Sequence, residues 1–286
     1  MVGNELKREE KVMARRNSLW CICVIALLSL SNAFAASKET VAIIGTGDLG
    51  DSFGARLAAL GYPVVYGSRT PDSDKAQGVV EATGYGATVT TNREAAQQGD
   101  VVILALPWPA MRQIATSLGD LNGKIVLDPS IPWVQGDDGY PDSLALPSSA
   151  ELIQEWNPGA RVVKGIGTMG SMILDDPSTV DGPVTIPLAS DHREAKERIA
   201  QITLELGLDP VDLGPLRMGK YIDAMQLIYM IPLLQQRDEE FEFYFRRSAD
   251  WVCKWGDDWS SPVYDAGELA VMPETQRPLR SCADRE

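Results

Sequence analysis

The chain has 286 residues, 44% hydrophobic and 23% charged, an ordinary globular balance with ample length for a buried core. Forty acidic against 26 basic residues give a formal charge of -14, a surface that repels phosphate backbones and anionic lipid and argues against nucleic-acid binding. The single histidine, His192, excludes histidine-dependent serine or cysteine triads, multi-histidine zinc sites and histidine relays within one chain.

At the N-terminus, Arg15-Arg16 precedes an apolar run from Leu19 to Leu30, which ends in Ala33-Phe34-Ala35. Basic flank, short apolar core and Ala-x-Ala form the pattern of a cleaved export signal over residues 1–35. The run is about a dozen residues against the ~20 of a spanning helix, so no stable membrane span is expected. Arg15-Arg16-Asn17-Ser18-Leu19 resembles the twin-arginine signal, which would carry a folded, cofactor-loaded protein to the periplasm or beyond. If the segment is instead a buried helix, the protein stays in the cytoplasm; Met13 is an alternative start. Beyond the signal, Cys253 and Cys282 remain, as one disulfide or two free thiols.

From Val41 onward, short apolar runs alternate with helical stretches, as in βαβ units built on a parallel sheet. Strands are expected at Val41–Gly45, Pro63–Gly67, Ala87–Val89, Val101–Leu106, Lys124–Asp128 and Arg161–Lys164. Helices are expected between them at Asp48–Leu60, Asp72–Ala82, Arg93–Gln98, Ala110–Leu118 and Ser149–Trp156. Gly61, Gly84 and Gly119 fall where helix C-terminal turns need a positive φ. Four prolines and two glycines make Asp128–Pro147 an irregular surface loop. Pro183–Ala189 and Pro210–Leu213 read as strands joined by a helix over Arg193–Leu206. Residues 36–215 thus form a doubly wound, mostly parallel α/β domain, and 216–286 a helical segment in which Arg217–Met230 and Pro232–Trp255 read as one long helix or a broken pair. An apolar face from Ile222 to Ile231 suits core packing or a homodimer; Trp251, Trp255 and Trp259 continue it.

The stretch Gly45-Thr46-Gly47-Asp48-Leu49-Gly50 runs from a strand into a helix with GxGxxG spacing. Gly45 permits the turn, Gly47 lets backbone approach a pyrophosphate and Gly50 lets helix pack on strand, while the helix N-terminus faces the phosphates. An NAD site would place an acid at the end of the second strand, but Gly67-Ser68-Arg69-Thr70 stands there. Arg69, Ser68 and Lys75 suit a 2′-phosphate instead, which favours NADP. Leu106 and Pro107, at the end of the fourth strand, lie where the nicotinamide half should rest, and Trp108 either walls that site or covers the sheet.

These motifs, with Ile125–Ser130, Val162–Lys164 and Asp212–Leu216, follow one another in an order that resembles the NADPH-dependent coenzyme F420 reductases. The same domain occurs in the cytosolic part of the STEAP metalloreductases. The resemblance covers about Val41 to Met230 and implies a Rossmann-type fold. It also implies hydride transfer between NADP(H) and a face-to-face F420 or flavin, chemistry that needs no catalytic acid or base. It assigns the pyrophosphate to Thr46–Gly50, the 2′-phosphate to Ser68 and Arg69, and the nicotinamide border to Leu106 and Pro107. Where the family reads Lys-Ala-Phe-Asn-Thr, this chain has Lys164-Gly165-Ile166-Gly167-Thr168, without the aromatic and amide that shape the second ring's pocket. Two other readings remain: an NADP-binding module without turnover, and an imine or carbonyl reductase like the pyrroline-carboxylate reductases. The latter would need a proton donor from among Lys220, Tyr221 and Asp223. His192 is expected at the surface.

Overall fold

The computed structural model describes residues 38–138, 140–143, 147–235 and 244–246. Residues 39–286 form one compact unit. The segment expected to be an export signal (1–35), the Trp251 to Trp259 series, Cys253 and Cys282 lie outside the described residues.

Six parallel strands make the central sheet: β1 (Val41–Ile44), β2 (Val64–Ser68), β3 (Thr88–Thr91), β4 (Val101–Ile103), β5 (Ile125–Asp128) and β8 (Arg161–Lys164), in the order β3-β2-β1-β4-β5-β8. Every residue of β1 is buried, because alternate side chains meet cores on opposite faces. Val41 and Ile43 face α1 (Asp48–Ala59), α2 (Asp74–Thr83), α6 (Ser171–Asp175) and α7 (Arg193–Glu205). Ala42 and Ile44 face α3 (Asn92–Gln98), α4 (Trp108–Ala115) and α5 (Ser149–Trp156). This is the Rossmann-type, doubly wound arrangement.

Local chemistry sets the helix starts. Thr91 and Glu94 form a reciprocal capping box on α3, as Ser148 and Glu151 do on α5, and Ser73 caps α2. Gly61, Gly84 and Gly119 all take positive φ, as their positions require. A parallel pair, β9 (Thr185–Leu188) with β10 (Asp209–Asp212), joins the main sheet through an antiparallel bridge between Lys164 and Ala189.

Two expectations need correction, and two helices complete the picture. The strand expected to run to Leu106 ends at Ile103, because Leu106 N–H turns back to Leu104 O (2.9 Å). The 128–147 loop contains an antiparallel hairpin, β6 (Trp133–Gln135) with β7 (Pro141–Ser143). Its turn is closed by Gly136 N–H to Tyr140 O, and Asp138 accepts from Tyr140 N–H; Pro141 opens an edge strand, where the missing donor costs nothing. Short α6, with too few residues for a periodic signal, was not anticipated. Of the two readings of the late segment, the described residues fit the continuous helix: α8 (Gly219–Gln235) passes through Pro232. The carbonyl that loses its donor belongs to Ile228, which is 57% exposed and so open to water.

Among the described residues, Tyr66 is the largest fully buried side chain. Its hydroxyl hydrogen bonds Thr83 Oγ1 at 2.7 Å, and burial pushes its pKa up to about 12 although the Thr83 contact works the other way. The phenol lies directly on Gly54 of α1, where any Cβ would collide with it. Gly54→Ala should therefore lower stability by ~1–3 kcal/mol through overpacking, despite a helix-propensity gain of ~1 kcal/mol. Urea unfolding of Gly54→Ala, Tyr66→Phe and the double variant should show the double less destabilised than the sum. Tyr66→Phe removes the oxygen that the new methyl strikes.

Candidate dinucleotide site

From β1 the chain runs outward to β2 and β3, while β4, β5 and β8 lie on the other side. The carboxyl edge between β1 and β4 is thus the switch point at which such sheets take ligands. Gly45 N–H extends the β1–β2 pairing to Gly67 O (3.1 Å), so the glycine turn and the Ser68-Arg69 turn leave the same edge side by side.

The three glycines differ in role. Gly45 has φ +121, and a Cβ there would strike the Ala105 carbonyl; one on Gly50 would strike the Gly45 carbonyl. A Cβ on Gly47 would meet nothing within 4 Å. The open side of the turn is thus the Gly47 side, where a diphosphate would approach. Gly47 caps α1 without a side-chain hydrogen bond, leaving the N–H groups of the first turn for a ligand. Thr46 is half-buried, Asp48 exposed, and Leu49 packs its side chain on the core while contributing backbone to the turn. Asp51, one turn into α1, has its carboxyl pushed up by burial first, then by Asp175 and Asp48.

At the end of β2, Ser68 Oγ accepts from Thr70 N–H (3.1 Å), keeping its own proton to donate. Arg69 is exposed and, among the described residues, has no ion-pair partner; Lys75 is exposed on the first turn of α2. At the end of β4, Leu106 is half-buried and exposed Pro107 is the N-cap of α4. Trp108 stacks on Trp156 of α5, ring centroids 6.1 Å apart, and so covers the α4–α5 face. The residues present fit NADP: open backbone donors at a helix N-terminus, a free cation at β2 and no acid in that turn.

A second assembly lies at the carboxyl ends of β5 and β8. Strand register sets Asp128 opposite Lys164, and both side chains are wholly buried. Lys164 Nζ donates to Asp128 Oδ2 (3.3 Å), Ser130 O (2.5 Å) and Ser149 Oγ (2.9 Å), and pairs with Asp223 Oδ1 of α8 (2.9 Å). Asp128 Oδ1 accepts from Ser130 N–H (2.9 Å) and Oγ (2.5 Å), and its Oδ2 from Ser149 Oγ (2.5 Å). Burial alone would lower the Lys164 pKa, but Asp128 and Asp223 outweigh it and hold it above the usual value. Burial also pushes the Asp223 carboxyl up, with Lys164 opposing. One consequence is that Asp223 is committed to Lys164 and to Ser149 N–H (3.1 Å). Tyr221 is 52% exposed, with the Lys220 ammonium 5.1 Å above its own ring.

The 165–167 segment is closed. A Cβ on Gly165 would collide with Leu188, and one on Gly167 with the Gln226 amide and the Pro129 carbonyl. Leu188 and Gln226 thus occupy the space next to the positions where the sequence lacks an aromatic and an amide. His192 is the half-buried N-cap of α7 rather than a freely exposed group, its Nε2 3.3 Å from Gln154 Oε1. The Lys164 network was not foreseen as a unit. Its signal was available: two apolar strands, Ile125-Val126-Leu127 and Val162-Val163, each ending in a charge of opposite sign.

Sheet order, glycine turn and free β2 arginine together define a dinucleotide-binding α/β protein. Residues 40–132 match the family model described as "NADP oxidoreductase coenzyme F420-dependent". The F420-dependent NADP reductase of Methanocaldococcus jannaschii is 30% identical over 200 residues, 65% of this chain and 88% of that protein. Mouse metalloreductase STEAP2 is 29% identical over 196 residues, 67% of this chain, but the chain spans only 37% of its length. A crystal structure from Arthrobacter sp. FB24, assigned as an F420-dependent NADP-reductase, superposes with a TM-score of 0.67 at 22% identity, covering 73% of this chain and 100% of that one. The chain belongs to the coenzyme F420-dependent NADP oxidoreductase family. Among the described residues, no helix is long and apolar enough to cross a membrane.

Lys164→Met would strand two buried carboxylates and should cost ~3–5 kcal/mol at neutral pH. Without the ammonium, Asp223 is pushed up further, so the folded state holds its proton more tightly than the unfolded chain does. Stability is then lost as pH rises through that raised value and regained as pH falls. The deficit against wild type, read by urea unfolding, should shrink between pH 7 and pH 5.

Proposed function

We propose that this chain binds NADP(H) across the carboxyl edge of the sheet and passes hydride between it and a flavin- or F420-like acceptor. The observation that carries this is the uncapped N-terminus of α1 behind the open side of Gly47, with partner-free Arg69 beside it at the end of β2. Backbone N–H groups of the first turn of α1 hold the diphosphate, and Arg69, with Ser68 and Lys75, holds the 2′-phosphate. Leu106, Pro107 and the Pro129-Ser130 turn border the nicotinamide, the last fixed by Asp128 and Lys164.

Bound NADPH supplies the hydride; the chain supplies position and exclusion of water. Family membership and the names of the F420-dependent relatives support such an acceptor. The commitment of Asp223 to Lys164 and Ser149 takes it out of the three proton donors open to the imine-reductase alternative. The basic-flanked apolar run over residues 1–35 supports export of the folded, loaded protein.

Titration with NADPH and with NADH, following nicotinamide fluorescence, tests the cofactor. NADPH should bind more tightly, and Arg69→Ala should weaken it by about tenfold, ~1.4 kcal/mol for a lost charge-assisted phosphate contact, while leaving NADH unaffected. Equal weakening of both nucleotides would remove the 2′-phosphate role.

A further inference from the structure

The Lys164 network does not balance its own charge. One ammonium meets two carboxylates, Asp128 and Asp223, whose side chains are 0% and 10% exposed. The other partners, Ser130 and Ser149 with their main-chain groups, are neutral. Among the described residues, no second cation pairs with either carboxylate. Ionisable side chains on the adjoining elements are engaged elsewhere: Glu151 closes the α5 capping box, the Lys220 ammonium lies over the Tyr221 ring and Arg217 is exposed. Thr168, after β8, and Gln226, one turn beyond Asp223, are buried and uncharged, and their Oγ1 and Oε1 have no hydrogen-bond partner. Ile166, at a strained φ of +51, is apolar. A net negative charge is thus held out of water at the carboxyl ends of β5 and β8.

A buried charge without a counter-charge is costly, so its presence points to an opposite charge that arises nearby. Hydride transfer creates one. Bound NADPH gives up two electrons and a proton as hydride from ring carbon C4 to the acceptor, and its nicotinamide ring passes from neutral to +1. Asp128 ends β5, the strand beside β4 on the side of the switch point away from β2. A dinucleotide anchored at β2 by its 2′-phosphate therefore directs its nicotinamide half toward that side. We propose that the excess carboxylate of the Lys164 network stabilises NADP+ over NADPH, and so sets this chain to give hydride to its acceptor rather than to take it back. Asp128 and Asp223 are positioning residues here, acting through the field, which a poorly polarisable interior lets reach beyond contact distance. The inference rests on the NADP reading above and concerns the direction of transfer.

The test is titration of the full chain and its Asp223→Asn variant at pH 8 with NADP+, NADPH and 2′,5′-ADP. The wild type should bind NADP+ more tightly than NADPH. The substitution keeps the side-chain shape and removes one negative charge. The ratio of the two dissociation constants should then move about tenfold against NADP+, equivalent to ~30 mV for a two-electron couple. Binding of 2′,5′-ADP, which lacks the nicotinamide, should not change. Asp128→Asn removes the same charge from another element and should move the ratio in the same direction. A packing defect would weaken both oxidation states alike, so the ratio separates charge from structure.

An unchanged ratio in the folded variants overturns the proposal, as does equal weakening of NADP+ and NADPH. If neither variant folds, the wild type decides: tighter binding of NADPH than of NADP+ overturns the proposal. Wild-type protein that binds neither NADPH nor 2′,5′-ADP removes the NADP reading itself, a separate failure.

Discussion

The buried pair of Lys164 and Asp128 is the constraint on which the far half of the molecule depends. Parallel register sets the two side by side at the ends of adjacent strands, with no solvent to screen them. Such a pair adds little net stability by itself, because desolvating two charges offsets much of their attraction. What it enforces is completeness: each remaining lone pair and proton must find a partner. Those partners are the Ser130 turn, the first residue of α5 and one carboxylate of α8. The elements at the carboxyl ends of β5 and β8 are thereby tied to a single point.

The two halves of the site differ in physical character. On the β1–β2 side, the glycine turn is close-packed against backbone and each conformation suits its residue. Local preference and global fold agree there, the condition for a rigid platform. On the β5–β8 side, Ile166 is strained, two buried polar atoms are unpaired and two glycines let neighbouring side chains crowd in. Violations of local rules gather at functional sites, and here they gather at the carboxyl ends of β5 and β8.

That contrast also explains what could be read from the sequence. The strand–glycine–helix unit and the free arginine after β2 were legible because short-range spacing determines them: Gly45, Gly47 and Gly50 act within one turn, and Arg69 follows its strand directly. The alternation of strands and helices was legible from periodicity, although the apolar run outlasts β4, because Leu104 N–H still bonds Leu127 O and Leu106 stays apolar where the chain turns back. The hairpin within 128–147 was hidden by its prolines and glycines, which mark its ends and turn rather than preclude pairing. The Lys164 network was least visible. Lys164, Asp128, Ser149 and Asp223 are scattered over nearly a hundred residues and meet only through tertiary packing.

The capping box of α3 has a further consequence for the free rim of the sheet. β3 is the outermost strand on one side, four residues long, with its two end threonines exposed. The hydroxyls of Thr90 and Thr91 both donate to the Glu94 carboxylate, and these contacts hold its pKa below the ordinary range. A negative charge therefore persists beside the open edge even as the solution turns acidic and the excess of ionised carboxylates elsewhere declines. A short polar rim guarded in this way is a poor template for another chain's strand, so the sheet resists edge-to-edge aggregation under the conditions in which charge repulsion between molecules is weakest.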